Sequence, residues 1–149
     1  MNKEKIAFIP RQYLAVIAVL LAIMMSVLDG TIMNIALPTL AHDFDVTPST
    51  AIWIVNAYQL VITMTLLSFA SLGDIYGYRR IFLIGISIFV GASLACTLST
   101  SFWMLTAARV IQGFGAACVM SVNTALIRLI YPPQILGRGM GVNLSLIHI

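Results

Sequence analysis

Apolar residues fall into four long runs, at 13–37, 51–72, 81–98 and 102–130, separated by short polar stretches. A helix rising about 1.5 Å per residue needs about 20 residues to cross the hydrocarbon layer. The pattern therefore predicts an all-α integral membrane protein with four transmembrane helices. Thr47 followed by Pro48 is expected to start the second helix, Ser101 to cap the fourth, and Pro132 with Pro133 to end it.

Helical periodicity sorts each run into faces. On span one, Ala15, Ala18, Ala22, Met25, Ser26, Asp29 and Met33 fall on one side, and Leu14, Ile17, Leu21, Leu28, Ile32 and Ile35 on a lipid-like side. Span two carries a polar stripe of Asn56, Gln59 and Thr63. On span four, Arg109, Gln112, Gly113, Ala116 and Met120 share a face. These stripes predict a polar cavity between helices, lined by Asn34, Asn56, Gln59, Thr63 and Gly113. Span three has Ser87, Gly91 and Ala95 at four-residue spacing, which predicts a close helix contact.

Basic residues orient the spans. Lys3, Lys5 and Arg11 precede span one, Arg79 and Arg80 separate spans two and three, and Arg128 and Arg138 surround the end of span four. The connections 38–50 and 99–101 have no Lys or Arg. The positive-inside rule places the N-terminus in the cytoplasm. The aromatics suit that topology as interfacial anchors, with Trp53, Phe102 and Trp103 at the outer edge and Tyr13, Tyr76, Tyr78 and Tyr131 at the inner edge. Asp29 and Arg109 then each lie roughly 12 Å below the outer surface. An acid inside a span costs roughly 2.5–3.5 kcal/mol. A base at the same depth lowers that cost, so the two side chains are expected to meet directly or through one intermediary.

Composition agrees: 60% of residues are apolar and 9% charged, with a mean hydropathy of +1.02. The net charge of +3 is spread singly or in pairs, which is no nucleic-acid footprint. Cys96 and Cys118 lie inside apolar runs and read as small buried residues; His42, Asp43 and Asp45 read as a solvated loop rather than a metal site. No nucleophile–base pair, metal cluster or phosphate loop has the spacing an enzyme needs. No cofactor is expected. The basic N-terminal flank precedes a run too long for a signal peptide and no convincing cleavage site, so span one is expected to be retained.

Three motifs are more specific. Leu28-Asp29-Gly30-Thr31-Ile32-Met33-Asn34-Ile35-Ala36-Leu37-Pro38 resembles LDxTIVNVALP, departing at Met33 and Ile35. This is the first-span signature of the 14-span drug:proton antiporters of the major facilitator superfamily, the EmrB/QacA type. The stretch from Ala70 to Arg80 resembles the superfamily loop GxLADRxGRR at Leu72, Asp74, Gly77, Arg79 and Arg80, with Ala70 and Ile75 departing. Arg109-Val110-Ile111-Gln112-Gly113-Phe114-Gly115-Ala116-Ala117 is similar to the fourth-span motif RxxQGxGAA throughout.

The resemblance implies a proton-coupled multidrug exporter in the cell membrane, driven by the proton gradient. Its partners would be the lipid bilayer, protons and a lipophilic or cationic small molecule. Asp29, Arg109 and Gln112 would couple proton and substrate, and Asp74, Gly77, Arg79 and Arg80 would form a cytoplasmic gating loop. An intramembrane carboxyl that exchanges a proton as its pairing changes meets the minimum requirement of an antiporter. A permease for a metabolite or siderophore, and a non-transporting membrane anchor or sensor, are the alternatives. Residues 1–12 read as a cytoplasmic segment and 13–143 as part of a transporter domain from the N-terminal half of the fold, whose remaining spans lie beyond this chain. The last six residues, 144–149, resemble the translation of a transposon-end adapter used in sequencing libraries.

Overall fold

The computed structural model describes residues 11–130, with side chains at 17–123 and 125. Four helices follow one another: α1 (Arg11–Asp43), α2 (Pro48–Tyr76), α3 (Tyr78–Thr97) and α4 (Phe102–Ile130). Each holds a stretch long and apolar enough to cross a membrane. The chain is thus an all-helical membrane protein. The expectations for residues 1–10, Tyr131, Pro132, Pro133, Arg138 and 144–149, and for the side chains of Tyr13, Leu14, Ala15 and Arg128, lie outside the described residues.

The first three helices overrun the apolar runs at most of their ends, because only the bilayer-buried part of a helix must be apolar. The largest overrun is in α1, which continues through Pro38 to Asp43. Pro38 has no N–H, so the carbonyl of Asn34, four residues earlier, loses its helical partner. The caps fall where the sequence puts them. Thr47 Oγ1 accepts from the Thr50 amide at 3.2 Å, with Pro48 in the first turn, and Ser101 Oγ accepts from the Met104 amide at 3.3 Å. Between α2 and α3 there is only Gly77, at φ +93°, a conformation that glycine adopts without strain.

Helix α4 is the central post. It packs most heavily on α3 and α2, and α1 lies more lightly against the others. Ala116, Ala117 and Val122 on α4 are completely buried. Two glycines make this possible. Residues two apart on a helix point about 200° apart, so Gly113 and Gly115 serve different neighbours. A Cβ on Gly113 would lie 3.0 Å from the Tyr58 carbonyl of α2; one on Gly115 would lie 2.6 Å from the Phe89 amide nitrogen of α3.

Several facing assignments need correction. The close α3 contact uses Gly85, Phe89 and Ala92, not the stripe of Ser87, Gly91 and Ala95. Gly91 meets nothing within 4 Å among the described residues. Small residues alone did not decide the face; the mutual fit of Gly85 with Gly115 and Cys118 did. On α1 the described buried residues are Val19, Ile23 and Ala41, the first two packed with Ile81, Phe82, Cys118, Val119 and Val122, while Ala18 and Met25 are exposed. The core-facing side is thus apolar and rotated from the small-residue side. The lipid side is as expected, with Ile17, Leu21, Leu28, Ile32 and Ile35 exposed. Phe102 is not an interfacial anchor: it is buried with Ile54 and Leu105 and meets Trp103 edge-on. Tyr78, at the start of α3, packs on Gly73.

Gly115→Ala is expected to cost about 1–3 kcal/mol, the usual penalty for overpacking, because its neighbours are backbone atoms that cannot step aside. Gly91→Ala should stay within about 0.5 kcal/mol. Chemical unfolding in detergent measures both, and equal losses would contradict the α3–α4 packing.

Candidate functional site

Asp29, Arg109 and Gln112 meet inside the bundle. Arg109 Nη1 donates to Asp29 Oδ2 at 2.6 Å and to Gln112 Oε1 at 2.6 Å. Gln112 Nε2 donates to Asp29 Oδ1 at 3.0 Å. Both carboxylate oxygens are therefore engaged by α4, and the glutamine amide is oriented by its partners, oxygen toward donors and nitrogen toward the acid. The Cys96 thiol of α3 lies 3.6 Å from Gln112 Oε1 as a weak further donor. Arg109 and Gln112 sit three residues apart, which puts them on neighbouring positions of one helical face. The depth-matched pair expected from the sequence is a direct contact.

The energetics explain why the network is so complete. Arg109 has no exposed surface, and Asp29 keeps 20% of its side-chain exposure. At an effective dielectric near 20, opposite charges about 4 Å apart attract by about 4 kcal/mol. Desolvation costs several kcal/mol for each ion. That attraction alone does not repay the desolvation of two ions, so additional hydrogen bonds decide whether the pair is tolerated. Gln112 supplies one to each partner. A guanidinium has five N–H donors, and here Nη1 serves both hydrogen bonds. Nε and Nη2 have no hydrogen-bond acceptor among the described residues. The guanidinium instead lies over the ring of Tyr58, 4.3 Å from Cζ to the centroid. A cation over a desolvated aromatic face gains about 2 kcal/mol, which offsets part of the missing hydrogen bonding.

Beside this cluster, α1, α2 and α4 enclose a half-open cavity of about 370 Å³. Its polar wall is made by Ser26, Thr31, Asn34, Tyr58, Gln59 and Asn123, and its apolar wall includes Ile23, Val27, Ile62 and Met120. Of the expected lining residues, Asn34 and Gln59 are in place. Asn56 and Thr63 are exposed and outside this wall, because α2 turns Ala51, Ile54 and Tyr58 toward the bundle. Thr63 Oγ1 donates back to the Gln59 carbonyl at 2.8 Å. Gly113 is buried as a packing residue rather than a lining one.

Asp74, Gly77, Arg79 and Arg80 gather at the α2–α3 turn, roughly 28 Å along α2 from Tyr58 at 1.5 Å per residue. Asp74 accepts a hydrogen bond from the Tyr78 hydroxyl. Arg79 and Arg80 are exposed and make no ion pair with Asp74 among the described residues. His42 and Asp43 are exposed at the end of α1, 3.7 Å apart.

Tyr58 and Asn123 escaped the sequence reading. For Tyr58 a signal existed: of five tyrosines, it alone lies within an apolar run rather than at a run's edge.

Residues 19–149 match the family model of the Major Facilitator Superfamily. The chain is 58% identical over 135 residues to the uncharacterized transporter YebQ of Escherichia coli (strain K12), covering 91% of this chain and 30% of that protein. It is 34% identical over 139 residues to the riboflavin transporter RibZ of Clostridioides difficile (strain 630), covering 93% and 30%. With the multidrug resistance protein Stp of Mycobacterium tuberculosis (strain CDC 1551 / Oshkosh) it shares 41% identity over 121 residues, covering 81% and 22%. The chain thus spans under a third of the length of these relatives.

Asp29→Asn and Arg109→Met should each destabilise the protein by about 3–5 kcal/mol, since each strands the other's buried polar group. The double substitution should cost less than the sum by at least about 1 kcal/mol. Unfolding in detergent tests this; simple additivity would mean that the contact carries no energy.

Proposed function

Because the chain belongs to the Major Facilitator Superfamily, we propose that it is the N-terminal part of a proton-coupled exporter of lipophilic or cationic compounds, lying in the cell membrane with its N-terminus in the cytoplasm. The observation that carries the reading is the closed contact of Asp29 with Arg109 and Gln112 beside a mixed polar and apolar cavity. A proton arriving at Asp29 Oδ2 neutralises the carboxylate and removes the ionic part of its bond to Arg109. Gln112 and Tyr58 still hold the guanidinium in place. A proton thus changes the strength of the Asp29–Arg109 contact, and a ligand that binds the two protonation states differently would be coupled to that proton.

The cavity suits an amphipath of modest size. Its polar groups are neutral, and both oxygens of the acid are already taken. A cationic substrate that reaches Asp29 therefore competes with Arg109 as its counter-ion. Asp74, Gly77, Arg79 and Arg80, at the surface turn, form the cytoplasmic gating loop. Drug resistance in Stp and efflux in a second Mycobacterium tuberculosis relative, the drug efflux pump JefA, favour export. Riboflavin transport by RibZ favours a second reading, a metabolite permease using the same cavity.

In the full-length transporter, Asp29→Asn should lower proton-driven flux by about tenfold or more, the consequence of losing upwards of ~1.4 kcal/mol of coupling. Flux of ethidium and of riboflavin into everted vesicles measures it. Unchanged flux for a transported probe would remove Asp29 from the coupling role, and absence of any flux in the wild type would favour a membrane anchor or sensor.

A further inference from the structure

Neither Asp29 nor Arg109 belongs to the cavity wall, although both lie next to it. Arg109 has no exposed surface at all. Tyr58 touches both the cavity and the ion pair: it contributes to the wall and carries the guanidinium on its ring face. Its backbone is held as well: the Tyr58 carbonyl closes on Gly113 so tightly that a Cβ there would sit 3.0 Å away. On the other side Tyr58 packs with Phe89, Ala116 and Ile62.

We propose that Tyr58 is a positioning residue that transmits occupancy of the cavity to the Asp29–Arg109 pair through its ring. A ligand seated in the cavity presses on or stacks against the ring, and any change in ring orientation changes how well the guanidinium is held. Among the described residues one nitrogen of Arg109 makes all its hydrogen bonds, and the ring is the main support of the rest of the guanidinium. Loss of that support is answered at Asp29, the one anionic partner in contact among the described residues. Among the described residues, the titratable and charged groups facing the pair are Asp29 from α1, Tyr58 from α2, Cys96 from α3 and Arg109 itself from α4. The inference rests on the proposed coupling role of the pair and adds the route by which a ligand reaches it.

A ring series in the full-length transporter tests it. Binding of ethidium and riboflavin is measured at mildly acidic and mildly alkaline pH, and the ratio of the two affinities is the coupling. Tyr58→Phe keeps the ring face and should keep the ratio. Pentafluorophenylalanine at position 58 keeps the shape but no longer attracts a cation, and should reduce the ratio by about two- to thirtyfold, or to unity if the wild-type ratio is smaller. Tyr58→Leu should do the same if it folds; the fluorinated ring decides the matter if it does not. A fluorinated ring with the wild-type ratio would overturn the inference. So would a wild-type protein whose binding does not respond to pH, since there would be no coupling to transmit. Asp29→Asn separates the two claims. If it flattens the pH response and the ring series does not, Tyr58 loses its role and the pair keeps its own; if Asp29→Asn leaves the response intact, the coupling role of the pair fails.

Discussion

A full positive charge buried without any solvent contact is the constraint that the rest of the bundle satisfies. The Arg109 guanidinium has no exposed surface, so its surroundings must supply the compensation that water would give. Asp29 comes from α1, the Tyr58 ring from α2, Cys96 by way of Gln112 from α3, and Gln112 from its own helix. Each of the four helices contributes one part. The packing of Gly113 and Gly115 on opposite sides of α4 brings α2 and α3 close enough for those parts to meet. An apolar substitution of the whole group would be at least as stable as the ion pair on general grounds. A network this dependent on geometry is therefore not, by itself, a source of stability.

How far the sequence disclosed this arrangement differs between levels. Element placement was legible because membrane thickness imposes a length that the apolar runs of residues 13–37, 51–72, 81–98 and 102–130 meet. The meeting of Asp29 with Arg109 was legible because both had to be at one depth and each needs the other. Facing was less so. In water, a helix shows its buried side by being apolar there; in lipid both sides are apolar, and the contrast that marks Val19 and Ile23 against Met25 disappears. The stripe of Ser87, Gly91 and Ala95 was plausible on composition but lacked a complement on α4, whereas Gly85 had one in Gly115. Asn56 and Thr63 were read from polarity alone, while the orientation of α2 is fixed by Ala51, Ile54 and Tyr58.

Tyr58 shows what such a reading misses. An aromatic residue adds nothing unusual to hydropathy, and its electrostatic use appears only when a cation from another helix lies over its face. The same holds for the cavity, whose wall draws on three helices and on residues such as Asn123 whose polarity has no local pattern. Depth in the bilayer relates two residues at a time, whereas this wall is shared among three helices.

The separation of Asp29 and Arg109 by 80 positions along the chain has a consequence for how the protein is made. At about 5–20 residues per second of synthesis, roughly 4–16 seconds pass between the emergence of the acid and that of its base. During that interval α1, α2 and α3 leave the ribosome in turn while the acid waits without the guanidinium that will close on it. Assembly of the site is therefore timed by the last of the four helices, and a pause in translation before α4 would prolong the life of an intermediate that carries an unmatched carboxyl in the bilayer.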